Sequence, residues 1–63
     1  MIRVPRLLDL LRLKRIAQAD DCIVYHKLRR TGDGSHALHV FSRMQTRLCE
    51  IEAMEAQLIE AQP

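Results

Sequence analysis

Thr31-Gly32-Asp33-Gly34-Ser35 is the stretch that decides the fold, because it holds both glycines of a 63-residue chain. Gly32 suits the left-handed position that ends a helix. Asp33 and Ser35 are residue types that cap the start of one. Just upstream, Lys27, Arg29 and Arg30 stand where the negative end of a helix attracts cations. The stretch therefore reads as a helix end followed by a helix start, between two arms of similar length.

Outward on the C-terminal side, Phe41, Met44, Leu48, Ile51, Met54 and Leu58 recur at steps of three and four, the seam of one helix face. His39, Arg43, Glu50 and Gln57 fall opposite them. The spacing predicts a helix over roughly 35–61. On the N-terminal side, Pro5 suits a first helical turn. Leu10, Leu13, Ala17, Val24 and Leu28 share one face, interrupted by Asp20. That pattern predicts a helix over about 5–30. The expected fold is one all-α domain covering residues 1–63, an antiparallel helical hairpin. A second arrangement competes with it. Cys22-Ile23-Val24-Tyr25-His26-Lys27-Leu28 is rich in strand formers, and with His36–Phe41 it would give helix–β-hairpin–helix. Ala37, Leu38 and Phe41 fit a helix better than an alternating strand.

The charges favour a chain doubled back on itself. Residues 1–30 carry eight Lys/Arg against three Asp, and residues 31–63 carry two Arg against five Asp/Glu. If facing positions have numbers adding to about 65, Arg6 falls near Glu60, Arg12 near Glu52, Arg15 near Glu50, Asp21 near Arg43 and Asp20 near Arg47. Every pair is of opposite sign. An exposed pair contributes at most about 1 kcal/mol, so these charges set register and direction rather than stability.

Such a hairpin is expected to need company. A chain this short buries a small share of its surface, and this one has one Tyr, one Phe and no Trp to enlarge its core. Residues 7–13 are apolar nearly all round the helix, which asks for burial on more than one side. The partner-facing residues expected from this surplus are Leu7, Leu8, Leu11, Ile16 and Ile23 on the first arm, with Leu38, Met54 and Ile59 on the second. A homodimeric four-helix bundle or a permanent heterocomplex would cover them. The function implied is that of a non-enzymatic protein–protein interaction module: a small adaptor, co-chaperone or phage-type regulator.

Other classes find less support. Cys22/His26 and His36/His39 have helical spacings that suit chelation, yet they point to different sides of the hairpin, so no metal and no cofactor is expected. Two packed helices offer no cleft for a nucleophile and its base. The two cysteines are too few for a secreted disulfide framework, and no signal-peptide pattern or run of about 18–20 apolar residues is present. These features point to a reduced, cytoplasmic protein. In residues 2–16 the polar side chains are spread round the helix, which argues against an interfacial membrane helix. Nucleic acid is the main alternative partner. Arg12, Lys14 and Arg15 form one basic cluster, and Lys27, Arg29 and Arg30 a second. A hairpin dimer of the Rop kind would bind RNA through such faces. Beyond Tyr25 there is no aromatic interleaving, and no RNP-like motif.

Arg30, Gly32 and Asp33, followed by Leu38-His39-Val40-Phe41, Arg43 and Leu48, resemble the small type III secretion co-chaperones of the YscE/PscE kind. The likeness covers about half the chain, and the basic first arm departs from it. It implies a helical hairpin that helps a larger chaperone hold a needle subunit soluble, with Leu38, Val40 and Phe41 on the partner-facing surface. A fainter similarity, to phage head–tail joining proteins of the gpW type, applies only if residues 22–41 form a β-hairpin.

Overall fold

The computed structural model describes residues 3–61. Two α-helices, α1 (Val4–Arg30) and α2 (Gly34–Ala61), account for nearly all of them. The helices lie antiparallel in a rod of 48 × 15 × 15 Å. Residues 22–41 contain no strand; both flanks of the turn are helical. The β-hairpin alternative is thereby excluded, and with it the condition on which the gpW likeness rested.

The turn works through backbone chemistry readable in its residues. Gly32 has φ +82°, a conformation that costs other L-residues about 1 kcal/mol or more. With Gly32 in place, its N–H donates to the Arg29 carbonyl at 3.3 Å and the Asp33 N–H to the Leu28 carbonyl at 3.0 Å. This is the Schellman closure, and it satisfies carbonyls that a helix end otherwise leaves open. Asp33 then starts α2: its Oδ1 accepts from the His36 N–H at 3.2 Å and its own carbonyl from the Ala37 N–H at 3.0 Å. Of the two expected caps, Asp33 is the one used. Pro5 sits within the first turn of α1, where its missing N–H is harmless.

Burial shows which faces meet. On α1 the less exposed positions include the series 7, 11, 14, 18, 21, 25 and 28, with 10, 17 and 22 beside it; on α2 they follow 37, 40, 44, 47, 51, 54 and 58. Both series step by three and four, the spacing of a coiled-coil seam. Paired from opposite ends, their numbers add to 65 throughout, so Leu7 lies level with Leu58, Gln18 with Arg47, and Leu28 with Ala37. The α2 seam keeps Met44, Ile51, Met54 and Leu58 as read from the sequence, but Phe41 and Leu48 stand beside it, 42% and 39% exposed.

The α1 seam differs more. Leu13 and Val24 are exposed, while Lys14, Gln18 and Asp21 take positions between the helices. Of the apolar stripe chosen by hydropathy, Leu10, Ala17 and Leu28 are half-buried and only Leu13 and Val24 fall outside. The physical reason is a polar layer at the middle of the rod. Arg43 donates to both oxygens of Asp21, at 2.9 and 2.8 Å. Arg47 Nη1 donates to Asp21 Oδ2 at 2.7 Å and to Gln18 Oε1 at 3.0 Å. Gln18 Nε2 in turn donates to the Met44 carbonyl at 3.0 Å. Among the described residues, no buried side-chain polar atom lacks a partner. A fully satisfied polar layer fixes register at some cost in stability.

Candidate functional site

Two surfaces remain once the hairpin has closed. The first is apolar. Five apolar side chains are buried among the described residues: Leu7, Leu11, Ala37, Val40 and Ile51. Ten large ones are exposed, against four large ones buried and six half-buried. Of the residues expected to face a partner, Leu7, Leu11 and Val40 are buried in the hairpin's own core and Met54 is half-buried in its seam, whereas Leu8, Ile16, Ile23, Leu38, Phe41 and Ile59 are exposed. At 100° per residue, exposed Leu13, Ile16, Ile23 and Val24 fall within an arc of about 100° on the outer side of α1. The sequence reading used Leu13 and Val24 for the internal seam and so missed that they join Ile16 and Ile23 in one outward face.

The second surface is electrostatic. Lys14 pairs with Glu50 at 3.3 Å, Arg15 with Glu55 at 3.2 Å, and Arg12 with Asp9 at 3.8 Å. Arg47 joins Arg43 on Asp21. The expected Asp21–Arg43 pair is present. Arg6–Glu60 and Arg12–Glu52 are not among the ion pairs of the described residues, and two partners are exchanged: Arg47 takes Asp21 in place of Asp20, and Glu50 takes Lys14 in place of Arg15. The seam explains both exchanges, since Asp21 and Lys14 point between the helices and their neighbours do not. Arg43 and Arg47, by donating to Asp21, hold its carboxyl at about 2, below the ordinary 3.8. The same contact raises the Arg43 guanidinium above its usual value.

By level along the rod, the five Lys/Arg up to Arg15 are balanced by Asp9, Glu50, Glu52, Glu55 and Glu60, and Asp20 and Asp21 by Arg43 and Arg47. The formal charge of +2 is therefore all at the turn, where Lys27, Arg29 and Arg30 face only Asp33. Asp33 itself contacts His36 at 3.3 Å. Of the two basic clusters, the first is largely tied up in ion pairs. The second has no carboxylate within ion-pair distance among the described residues.

Rings gather at the same end. Tyr25 lies 5.7 Å from Phe41 and 5.5 Å from His26, centre to centre. The Arg29 guanidinium sits 5.9 Å over the Tyr25 ring and donates to its hydroxyl oxygen at 3.1 Å, which raises the guanidinium's affinity for its proton. An open depression of about 630 Å³ is lined by Tyr25, His26, Arg29 and Arg30. The sequence reading found no aromatic partner for Tyr25. The register supplies one, because positions 25 and 41 are almost level. The cysteines are free, Cys22 half-buried and Cys49 exposed. No group of three or more His, Cys, Asp or Glu among the described residues is placed to hold a metal. No helix among them is long and apolar enough to cross a membrane.

Comparison with protein-family models, curated proteins and solved structures finds no match to the chain.

Proposed function

We propose that this hairpin is a non-enzymatic protein–protein interaction module, which completes its core by packing the outer face of α1 onto another helical chain, in the first instance a second copy of itself. The observation that carries the reading is the number of large apolar side chains left exposed, ten against four buried and six half-buried. Leu13, Ile16, Ile23 and Val24 are about half exposed, so covering each contributes about 0.8–1.5 kcal/mol. Over two copies the sum, about 6–12 kcal/mol, falls within the 4–15 kcal/mol that association costs. One side of a 48 × 15 Å rod offers roughly 700 Å², close to the ~800 Å² per partner of a stable complex.

A second copy fits this face by charge. Asp9, Leu13, Ile16, Asp20, Ile23 and Lys27 step by four and three along the outer side of α1. Two such helices laid antiparallel bring Leu13 level with Ile23 and Asp9 level with Lys27, twice over by symmetry. Asp20, level with Ile16, is the mismatch that keeps this association modest. The likeness to type III secretion co-chaperones supplies the other occupant, a larger helical chaperone on the Leu38 and Phe41 side.

Light scattering on a size column tests the reading with the double variant Ile16→Asp/Ile23→Asp. Wild type is expected at twice the 7.3 kDa chain mass and the variant at the single mass with its helical circular dichroism retained. Equal masses for the two proteins would refute the α1 face as the interface.

A further inference from the structure

We infer that the turn end of the rod binds single-stranded nucleic acid, with Arg29 and Arg30 taking the backbone phosphates and the Phe41 ring taking a base. Its two arginines lie beyond Lys27, the last residue of the α1 face used in the proposed pairing, and its ring is on α2. Three features meet there. First, the chain's whole formal charge excess is at this end, and its arginines have no carboxylate partner among the described residues. A carboxylate already on a guanidinium must be displaced before a phosphate can bind, which is the position of Arg15 beside Glu55 but not of Arg29 or Arg30. Second, Phe41 is 42% exposed although it packs against Tyr25. A part-exposed ring held by contact with a second ring offers the kind of aromatic platform on which bases stack without sequence preference. Third, Arg29 is held by its bond to the Tyr25 hydroxyl, beside the depression that Arg30 and His26 also line. A guanidinium fixed in place loses less freedom when it meets a phosphate.

The chemistry selects a flexible, unpaired strand. A duplex keeps its bases stacked on one another and has none to give to Phe41, while a bare polyanion uses the arginines alone. Two phosphate contacts are few, so affinity is weak: a dissociation constant on the order of 10⁻⁵–10⁻⁴ M at low salt. Log affinity should fall with log salt at a slope of about −1.4, from about −0.7 per single-strand phosphate.

The test is fluorescence anisotropy of a labelled twelve-nucleotide uridine strand, and of an abasic strand of equal length, with the full chain at low salt. Binding of the uridine strand at least fivefold tighter than the abasic one is expected. Arg29→Ala/Arg30→Ala should lose at least tenfold. Arg6→Ala, which removes one charge at the far end, should change binding less than twofold. Phe41→Leu keeps an apolar side chain at its place and should lose about fivefold for the uridine strand and nothing for the abasic one, with helicity checked by circular dichroism. The proposal is overturned by no binding at low salt, by equal binding of both strands, or by an Arg6→Ala loss as large as that at the turn.

Discussion

Replacing Asp21 by Asn removes one negative charge and leaves the shape of the polar layer nearly unchanged. Asp21 Oδ1 and Oδ2 accept three charge-assisted bonds, from Arg43 and Arg47, and the side chain is 13% exposed. Its carboxyl is lowered from 3.8 to about 2, equivalent to roughly 2.5 kcal/mol of preference for the charged form at 1.36 kcal/mol per tenfold change. That figure is a ceiling. The rod is only 15 Å thick and Arg43 is more than half exposed, so water screens the pair and about 1–1.5 kcal/mol survives. Because the folded value is depressed, this stability is fully present above 3.8 and is lost as pH falls toward about 2. Urea unfolding followed at 222 nm, at one protein concentration, should show Asp21→Asn less stable than wild type by about 1–1.5 kcal/mol at pH 7. The gap should shrink steadily below pH 4 and largely close by pH 2. Other carboxylates titrate in the same range in both proteins, so the difference between the two isolates Asp21. A gap under about 0.3 kcal/mol at pH 7, or one that stays constant down to pH 2, would refute the seam position assigned to this carboxylate.

Three further outcomes follow from the same geometry. Replacing Gln18, Asp21 and Arg47 together by Leu should raise stability by about 1–4 kcal/mol in urea, since a packed apolar layer commonly outdoes a buried ionic one; the unfolding midpoint checks it. Gly32→Ala should cost about 1 kcal/mol through its positive φ alone, because no atom within 4 Å meets an added Cβ. Gly34→Ala, helical and equally open, should instead stabilise by about 0.4–1 kcal/mol. Asp20→Leu leaves the hairpin untouched, as Asp20 is exposed and in none of the ion pairs. It should nonetheless tighten self-association at least tenfold in sedimentation equilibrium.

The turn, the two helices and their antiparallel sense were legible because each rests on local chemistry or on charge order along the chain. Gly32, Asp33 and Pro5 act within a few residues of themselves, and the opposite net sign of facing stretches does not depend on which face of each helix is the seam. The seam of α1 was only partly legible from hydropathy, which points to Leu10, Ala17 and Leu28 but not to the polar positions between them. A reading that looks for apolar side chains passes over Lys14, Gln18 and Asp21, which reach the interface only because Arg43, Arg47 and Glu50 meet them from α2. Leu13 and Val24, the more apolar choices, are left outside. Phe41 and Leu48 stand beside the seam for the same reason, since Arg47 occupies the place where the apolar series skips. The ring cluster at the turn needed the register first: Tyr25 and Phe41 are sixteen positions apart in the chain and adjacent only in the folded hairpin.

This hairpin leaves as many large apolar side chains exposed as it covers, and it gains stability when another chain covers them. The most direct check is the urea midpoint of wild type at protein concentrations 100-fold apart, for example about 1 and 100 μM. If folding is coupled to dimerisation, the higher concentration adds about 2.7 kcal/mol per dimer and the midpoint rises accordingly. A cooperative transition with the same midpoint at both concentrations would mean that the lone hairpin suffices, and would contradict the account.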